Sequence, residues 1–434
     1  MGALDTIIKA VKVPDIRKKI IFTLLMIVVF RLGANVPVPG IDRVALQDMF
    51  SSGQGLFEIF DLFSGGNFSN FTIFALSITP YITASIILNL LTIAIPALEA
   101  LSKEGMEGRK KIAQYTRYLT VALAFLQAIG LALGLVREYI TKNADGSMNY
   151  FTVVVIIMSL TGGTAFLMWL GEQINEYGVG NGISLIIFAG IICRAPAVIG
   201  NTFRNMGSGG PNDVSFISLV LFALFALFVV MGTIMVQQGQ RRIPVQYAKR
   251  VVGRKMYGGQ NTHIPIKVNQ AGVIPVIFAM SLLQFPMTIT YFMGGQSDFT
   301  KFVNKWLSME NPPGVWVYVV IYVVLTIFFT YFYTAVTFNV VDVSDNMRSN
   351  GGFIPGIRPG RTTVEYLNRV MTRVTFVGAV FLAAIAALPF LIQQWTNLNM
   401  KFGGTALLIV VGVGLDTMKQ LENQMVMRNY KGFL

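Results

Sequence analysis

"VWVYVVIYVVLTIFFTYFYTAVTF", residues 315–338, runs for 24 residues without a charge. A run of about 18 or more apolar residues reads as a membrane-spanning helix, since about 20 residues at 1.5 Å each cross the hydrocarbon. Four more runs are uninterrupted: Tyr118–Val136, Phe151–Leu170, Val214–Val236 and Val374–Ile392. They explain why only 13% of the 434 residues are charged, where a soluble domain carries about 25%. The expected fold class is an all-α polytopic membrane protein. No small-residue cleavage site follows the basic N-terminus, so the first apolar segment is expected to be retained.

Ten spans are expected, at about 20–35, 72–95, 118–136, 151–170, 183–199, 214–236, 271–293, 315–338, 374–392 and 402–418. Arg31 interrupts the first, Arg194 the fifth, and Asp416 shortens the last. Arginines near helix ends can snorkel to the interface. With the N-terminus taken as cytoplasmic, 25 of the 34 Lys and Arg fall in segments on its side and 9 on the other. That bias puts both termini in the cytoplasm, which requires an even number of spans. Five spans precede the polar segment 200–213 and five follow it. The expected units are therefore 1–199, an external hinge at 200–213, and 214–434 with large cytoplasmic loops at 237–270 and 339–373. With an odd number of spans in each, the halves run in opposite directions, which suggests an inverted repeat. No sequence repeat between them is visible.

One cysteine, Cys193, excludes an internal disulfide, and one histidine, His263, excludes a His-cluster metal site. Cys193 is expected to be inert helix packing. Neither a GxxxxGK[ST] stretch nor a GxSxG elbow occurs. No catalytic residue, cofactor or metal is expected. Ion-coupled transporters carry intramembrane Asp, Glu, Lys or His; the uninterrupted portions of these spans have none. The polar residues at depth are Thr79, Ser85, Asn89, Thr92 and Gln284, expected to hydrogen-bond between helices. Pro80, Pro96, Pro196, Pro275, Pro286 and Pro389 punctuate the spans, as in irregular helices around a cavity. A passive conduit fits better than a pump, and an inverted-repeat secondary transporter of a small solute is the other reading.

"GLFEIFDLFSGGNFSNF", residues 55–71, stands apart. Leu56, Ile59, Phe60 and Phe63 recur at helical spacing, with Glu58 and Asp61 on another face. This is a short amphipathic helix, either lying on the outer surface or turned inward as a stopper.

The loop 237–270 carries Arg241, Arg242, Lys249, Arg250, Arg254, Lys255 and Lys267 and no acid. "IPVQYAK" and "THIPIKV" read as strands flanking a turn near Gly258-Gly259. Such a basic hairpin can meet phospholipid heads, rRNA phosphates or an acidic protein. The second projection is "GFIPGIRPGRTT", residues 352–363, where Pro355 and Pro359 stiffen the chain around Arg358.

At these loops the chain resembles the SecY family. The matching stretches are "GGFIPGIRPG" (351–360), "QRRIPVQYAKR" (240–250), "KVNQAGVIPVIFA" (267–279), "EGMEGRKKIAQYTRY" (104–118), "GNGISLIIFAG" (180–190) and "FGGTALLIVVGV" (402–413). The resemblance implies ten helices in two inverted pseudo-symmetric halves around an hourglass pore for unfolded polypeptide, in the cytoplasmic membrane of a bacterium. It implies a plug helix at about 55–66, with Leu56, Phe57, Ile59, Phe60, Leu62 and Phe63. Matched motif by motif, it implies an apolar pore ring of Ile82, Ile86, Ile187, Ile191, Ile277 and Ile409. It also implies a lateral gate between the second and seventh spans, to which Ser85, Asn89, Thr92 and Gln284 are assigned. Arg241, Arg242, Arg250, Arg254, Lys255, Arg358 and Arg361 are implied as docking residues for the SecA motor ATPase and the ribosome, through rRNA. The remaining implied partners are the small SecE and SecG subunits, signal peptides, nascent or preprotein chains, and membrane lipids.

Overall fold

The computed structural model describes residues 12–42, 45–46, 61, 64–140, 149–204, 216–247, 250–252, 255–257, 261–293, 297–307, 314–396 and 404–431. Among them, every expected span is represented by a helix. These are α1 (Pro14–Gly33), α2 (Thr79–Ala94), α4 (Met106–Gly130), α5 (Tyr150–Tyr177), α6 (Gly182–Arg204), α7 (Phe216–Gln238), α8 (Ile274–Met293), α10 (Gly314–Thr337), α12 (Arg361–Thr396) and α13 (Gly404–Lys431). Shorter helices are α3 (Pro96–Lys103), α9 (Asp298–Trp306) and α11 (Val340–Ser349). Among the described residues, four helices are long and apolar enough to cross a membrane unaided, and α2 with α3 would make a fifth. α6, α7 and α8 each contain a shorter apolar segment.

The order of helix packing repeats along the chain. α2 packs on α4 and α4 on α5; later, α8 packs on α10 and α10 on α12. α6 and α13 meet each other, and α8 meets both α2 and α4, so the two halves are in direct contact. Within α10 the buried hydroxyls of Thr326, Thr330 and Thr334 each donate to the carbonyl four residues back, at 2.8, 2.6 and 2.7 Å. Threonine thereby enters an apolar helix without leaving an orphan polar group.

The second span departs from expectation. Helix begins only at Thr79, and residues 64–78 form a buried run of turns with Phe71 and Ser77 at positive φ, 44° and 53°. Pro80 explains the late start. It has no N–H to give Leu76, so it is tolerated in the first turn of α2 and not in mid-helix. The turns close their own bonds, Thr72 N–H to the Asn67 carbonyl at 3.0 Å and Ser77 N–H to that of Phe74 at 2.8 Å. At its other end α2 stops before Pro96, and the chain bends by 100° into α3. Several prolines expected as mid-span breaks thus begin helices: Pro80 in α2, Pro96 in α3 and Pro275 in α8. Pro196 and Pro286 do lie inside helices. α6 runs to Arg204, into the segment expected as a hinge, and 205–215 lie outside the described residues.

The basic hairpin is present. β1 (Gln240–Tyr247) pairs antiparallel with β4 (Asn261–Lys267), from Gln240 opposite Lys267 to Gln246 opposite Asn261. β2 (Arg250–Val252) and β3 (Lys255–Tyr257) continue it as a short outer ribbon. The sequence did not announce a third strand on the main sheet. β5 (Gly352–Phe353) adds to the free edge of β1, with Gln246 opposite Phe353 and Tyr247 opposite Gly352. Ile243, Val245 and Ile266 alternate inward and join Ile354, Met347, Leu367 and Met371 in a separate apolar cluster. The two basic loops therefore form one body at one end of the helix bundle.

Candidate functional site

The six isoleucines expected as a ring all belong to or pack on the main apolar core of the bundle, which also takes in Phe30, Phe74, Leu167, Tyr322 and Phe390. Ile86, Ile187, Ile191 and Ile409 are buried, and Ile82 and Ile277 pack against them half-buried. They come from α2, α6, α8 and α13, two helices from each side of the segment 200–213. Within α2 and within α6 the pairs lie four residues apart, so each pair shares a helix face. Ile82, Ile187 and Ile277 also line one cavity of ≈ 20 Å³, together with Ser77, Thr79, Ser281 and Gln284. That volume admits about one water, so these three side chains leave little open space between them.

The residues assigned to the gate do not form one group. α2 and α8 pack together, and Gln284 is buried at the small cavity. Asn89 and Thr92 instead line a ≈ 410 Å³ groove with Glu99, Ser102, Lys103, Arg109 and Val336. Ser85 is half-buried between these positions on α2. The Thr92 hydroxyl donates to the Leu88 carbonyl at 2.5 Å, so its partner is its own helix, not a neighbouring one. At the groove Lys103 bonds Glu99 at 2.6 Å, and that hydrogen bond raises the lysine pKa above its ordinary value. Both groups are exposed, so the pair adds little to stability.

The loops expected to dock partners are held tightly from behind. The tip turns at Pro355-Gly356, with Ile357 N–H bonded to the Ile354 carbonyl at 3.0 Å and Gly356 at φ 81°. Proline then glycine is what a type II turn requires at its two central positions. Thr363, fully buried, donates its hydroxyl to the Arg358 carbonyl at 2.9 Å. The backbone of Arg358 is thereby fixed while its side chain stays exposed. Arg241, Arg242 and Arg361 are exposed too, and Arg361 reaches Glu365 at 3.2 Å. Arg250 and Lys255 lie on the paired strands β2 and β3, and Arg254 falls outside the described residues.

Leu56, Phe57, Ile59, Phe60, Leu62 and Phe63 also lie outside the described residues. Asp61 does not, and its own placement differs from expectation. Expected on a polar face, it is 3% exposed. Its carboxylate accepts the Ser69 N–H at 2.8 Å and pairs with the guanidinium of Arg194. Arg194 was expected to snorkel; it pairs with the carboxylate of Asp61 instead. Cys193 beside it, expected as buried packing, is exposed. One signal in the sequence could have found the ion pair: a charge among apolar neighbours needs an opposite partner, and Asp61 and Arg194 are each isolated in that way.

The SecY family model matches residues 72–418. The protein translocase subunit SecY of Streptomyces galbus is 46% identical over 99% of this chain and all of its own length. A solved structure described as a protein-conducting channel superposes with TM-score 0.66 at 19% identity, covering 94% of this chain and 93% of its own. A second, described as a SecY whose plug domain stabilises the closed state and maintains a membrane seal, superposes with TM-score 0.64 at 18% identity, covering 94% and 92%. Likeness at such identities speaks for the fold, and the sequence relationship speaks for descent. This chain, a multi-pass membrane protein built of apolar helices, belongs to the SecY family.

Proposed function

We propose that this chain is the channel-forming subunit of a protein translocase. It passes unfolded polypeptides across the cytoplasmic membrane of a bacterium and releases apolar segments sideways into the bilayer. The joint placement of the six isoleucines, from helices on both sides of 200–213, in the apolar core of the bundle supports this reading. Aliphatic walls offer no hydrogen bonds to a moving chain, so polar and apolar side chains pass without being gripped, and a narrow apolar constriction excludes continuous water. The contact between α2 and α8 is the seam that would part for a signal peptide. The small-solute transporter gains no support from the SecY relationship.

On this reading both termini and the three-stranded sheet face the cytoplasm, a side supported by the excess of Lys and Arg in the segments assigned to it. Energy then comes from partners: a SecA motor or a ribosome at the sheet, with SecE and SecG beside the helices and lipids around them. Arg358 is the sharpest contact on this surface. Its backbone is already ordered, so a partner meets it at little entropic cost. Arg358→Glu is expected to lower motor-driven preprotein transport at least about tenfold, because it turns one charge-assisted contact into a repulsion. The same variant should insert and assemble normally, since no buried group is lost. Wild-type transport by purified Arg358→Glu across a range of salt would remove the docking role from this tip.

A further inference from the structure

We infer that Asp61 and Arg194 form a latch that holds the segment before α2 against α6 while the channel is closed. The inference rests on the reading of 55–66 as the plug, and it adds the residues that position it.

Three observations on α6 lead to it. Ile187, Ile191 and Arg194 lie on one stripe of the helix, at spacings of four and three residues. Ile191 is fully buried in the isoleucine cluster, and Arg194 follows one turn beyond, about 4.5 Å along the axis. The Asp61 carboxylate meets Arg194 there. Between them the backbones touch: a Cβ on Gly65 would lie 2.6 Å from the Cα of Gly190, and Gly65 sits at φ 71°. Only glycine fits such a conformation in such a space. The segment is therefore seated on α6 by a backbone contact level with the ring and an ion pair just outside it.

The carboxylate is prepared for this role. Described residues 64–69 close on it, with Gly66 N–H on the Asp61 carbonyl at 3.0 Å and Ser69 N–H on its Oδ1 at 2.8 Å. Phe68 N–H bonds the Ser64 hydroxyl at 3.0 Å, and that hydroxyl donates to the Asp61 carbonyl at 3.1 Å. The side chains of Asp61 and Arg194 are 4% and 23% exposed. Removing one partner of such a pair strands the other in poor solvation. Moving the plug does the same thing reversibly. It uncovers Arg194 at the outer side of the ring, so the cost of separating the charges favours the closed state. A chain entering the pore must supply that cost before the seal parts.

The test is resting ion conductance of the assembled complex in planar bilayers, without motor or preprotein. Asp61→Asn and Arg194→Gln should each raise the resting open probability at least about tenfold, a figure discounted for the partly exposed guanidinium. The double variant should leak no more than either single one, because both remove the same contact and the double variant strands neither charge. Gly65→Ala should leak similarly, as the added methyl pushes the segment off Gly190. Arg194→Lys, which keeps the charge, should stay within about threefold of wild type. Subunit assembly and thermal midpoint should be unchanged throughout. The latch is overturned if the single variants and Gly65→Ala are as tight as wild type while deletion of 57–66 leaks, or if the two single effects multiply in the double variant. If the deletion is tight as well, the plug reading itself falls.

Discussion

Replacing Ile191 and Ile409 together by serine should leave a channel that assembles but conducts ions at rest, whereas valine at both positions should leave it tight. The two side chains are 0% and 1% exposed within one cluster. Ile→Val removes one methyl and costs about 0.5–1.5 kcal/mol per site, too little to open a packed apolar core. Serine removes more volume and adds a hydroxyl that binds water, so the site loses both its packing and its dryness. Resting conductance is expected to rise at least about tenfold for the serine pair and further for aspartate, since a charge recruits water more strongly. A graded Val, Ser and Asp series in planar bilayers reads this directly. Equal tightness across assembled variants would make these ordinary packing residues.

Deleting 57–66 should have an effect of the same order. It removes the apolar positions Phe57, Ile59, Phe60, Leu62 and Phe63, and with Asp61 the partner of Arg194. On the plug reading the isoleucine cluster then loses its outer cover, and an uncompensated Arg194 guanidinium is left without Asp61. The complex should assemble and leak small ions without substrate. An unchanged baseline conductance would return 55–71 to a helix lying on the outer surface.

Much of this architecture was legible because it follows from one-dimensional patterns. The charge-free run of 315–338 is a single helix, α10, within a residue at each end. Hydrocarbon length sets such a helix, and no long-range contact is needed to find it. The hairpin of 237–270 was visible for a similar reason, since alternation along β1 and β4 is local. β5 was not visible. Two residues have no period, and Gly352-Phe353 becomes a strand only because β1 offers an open edge. The late start of α2 depends on Asn67, Thr72 and Ser77 closing turns within the protein, which hydropathy cannot weigh.

The candidate site divides along the same line. Helical spacing paired Ile82 with Ile86 and Ile187 with Ile191, but only family likeness linked them to Ile277 and Ile409, because isoleucine in an apolar helix carries no distinguishing mark. Thr92 and Gln284 were grouped by polarity and lie apart in the bundle. Asp61 and Arg194, 133 positions apart in the chain, each violated the rule against charge among apolar residues, and together they satisfy it.

The most direct measurement of conduction is transport by the purified chain itself. The protein is reconstituted with SecE and SecG in liposomes, SecA and ATP are supplied, and a radiolabelled preprotein is scored for protease protection. A protein-conducting channel gives ATP-dependent protection that disappears when the chain is omitted. A small-solute carrier gives no protection above protein-free liposomes, and that result would contradict the proposed function.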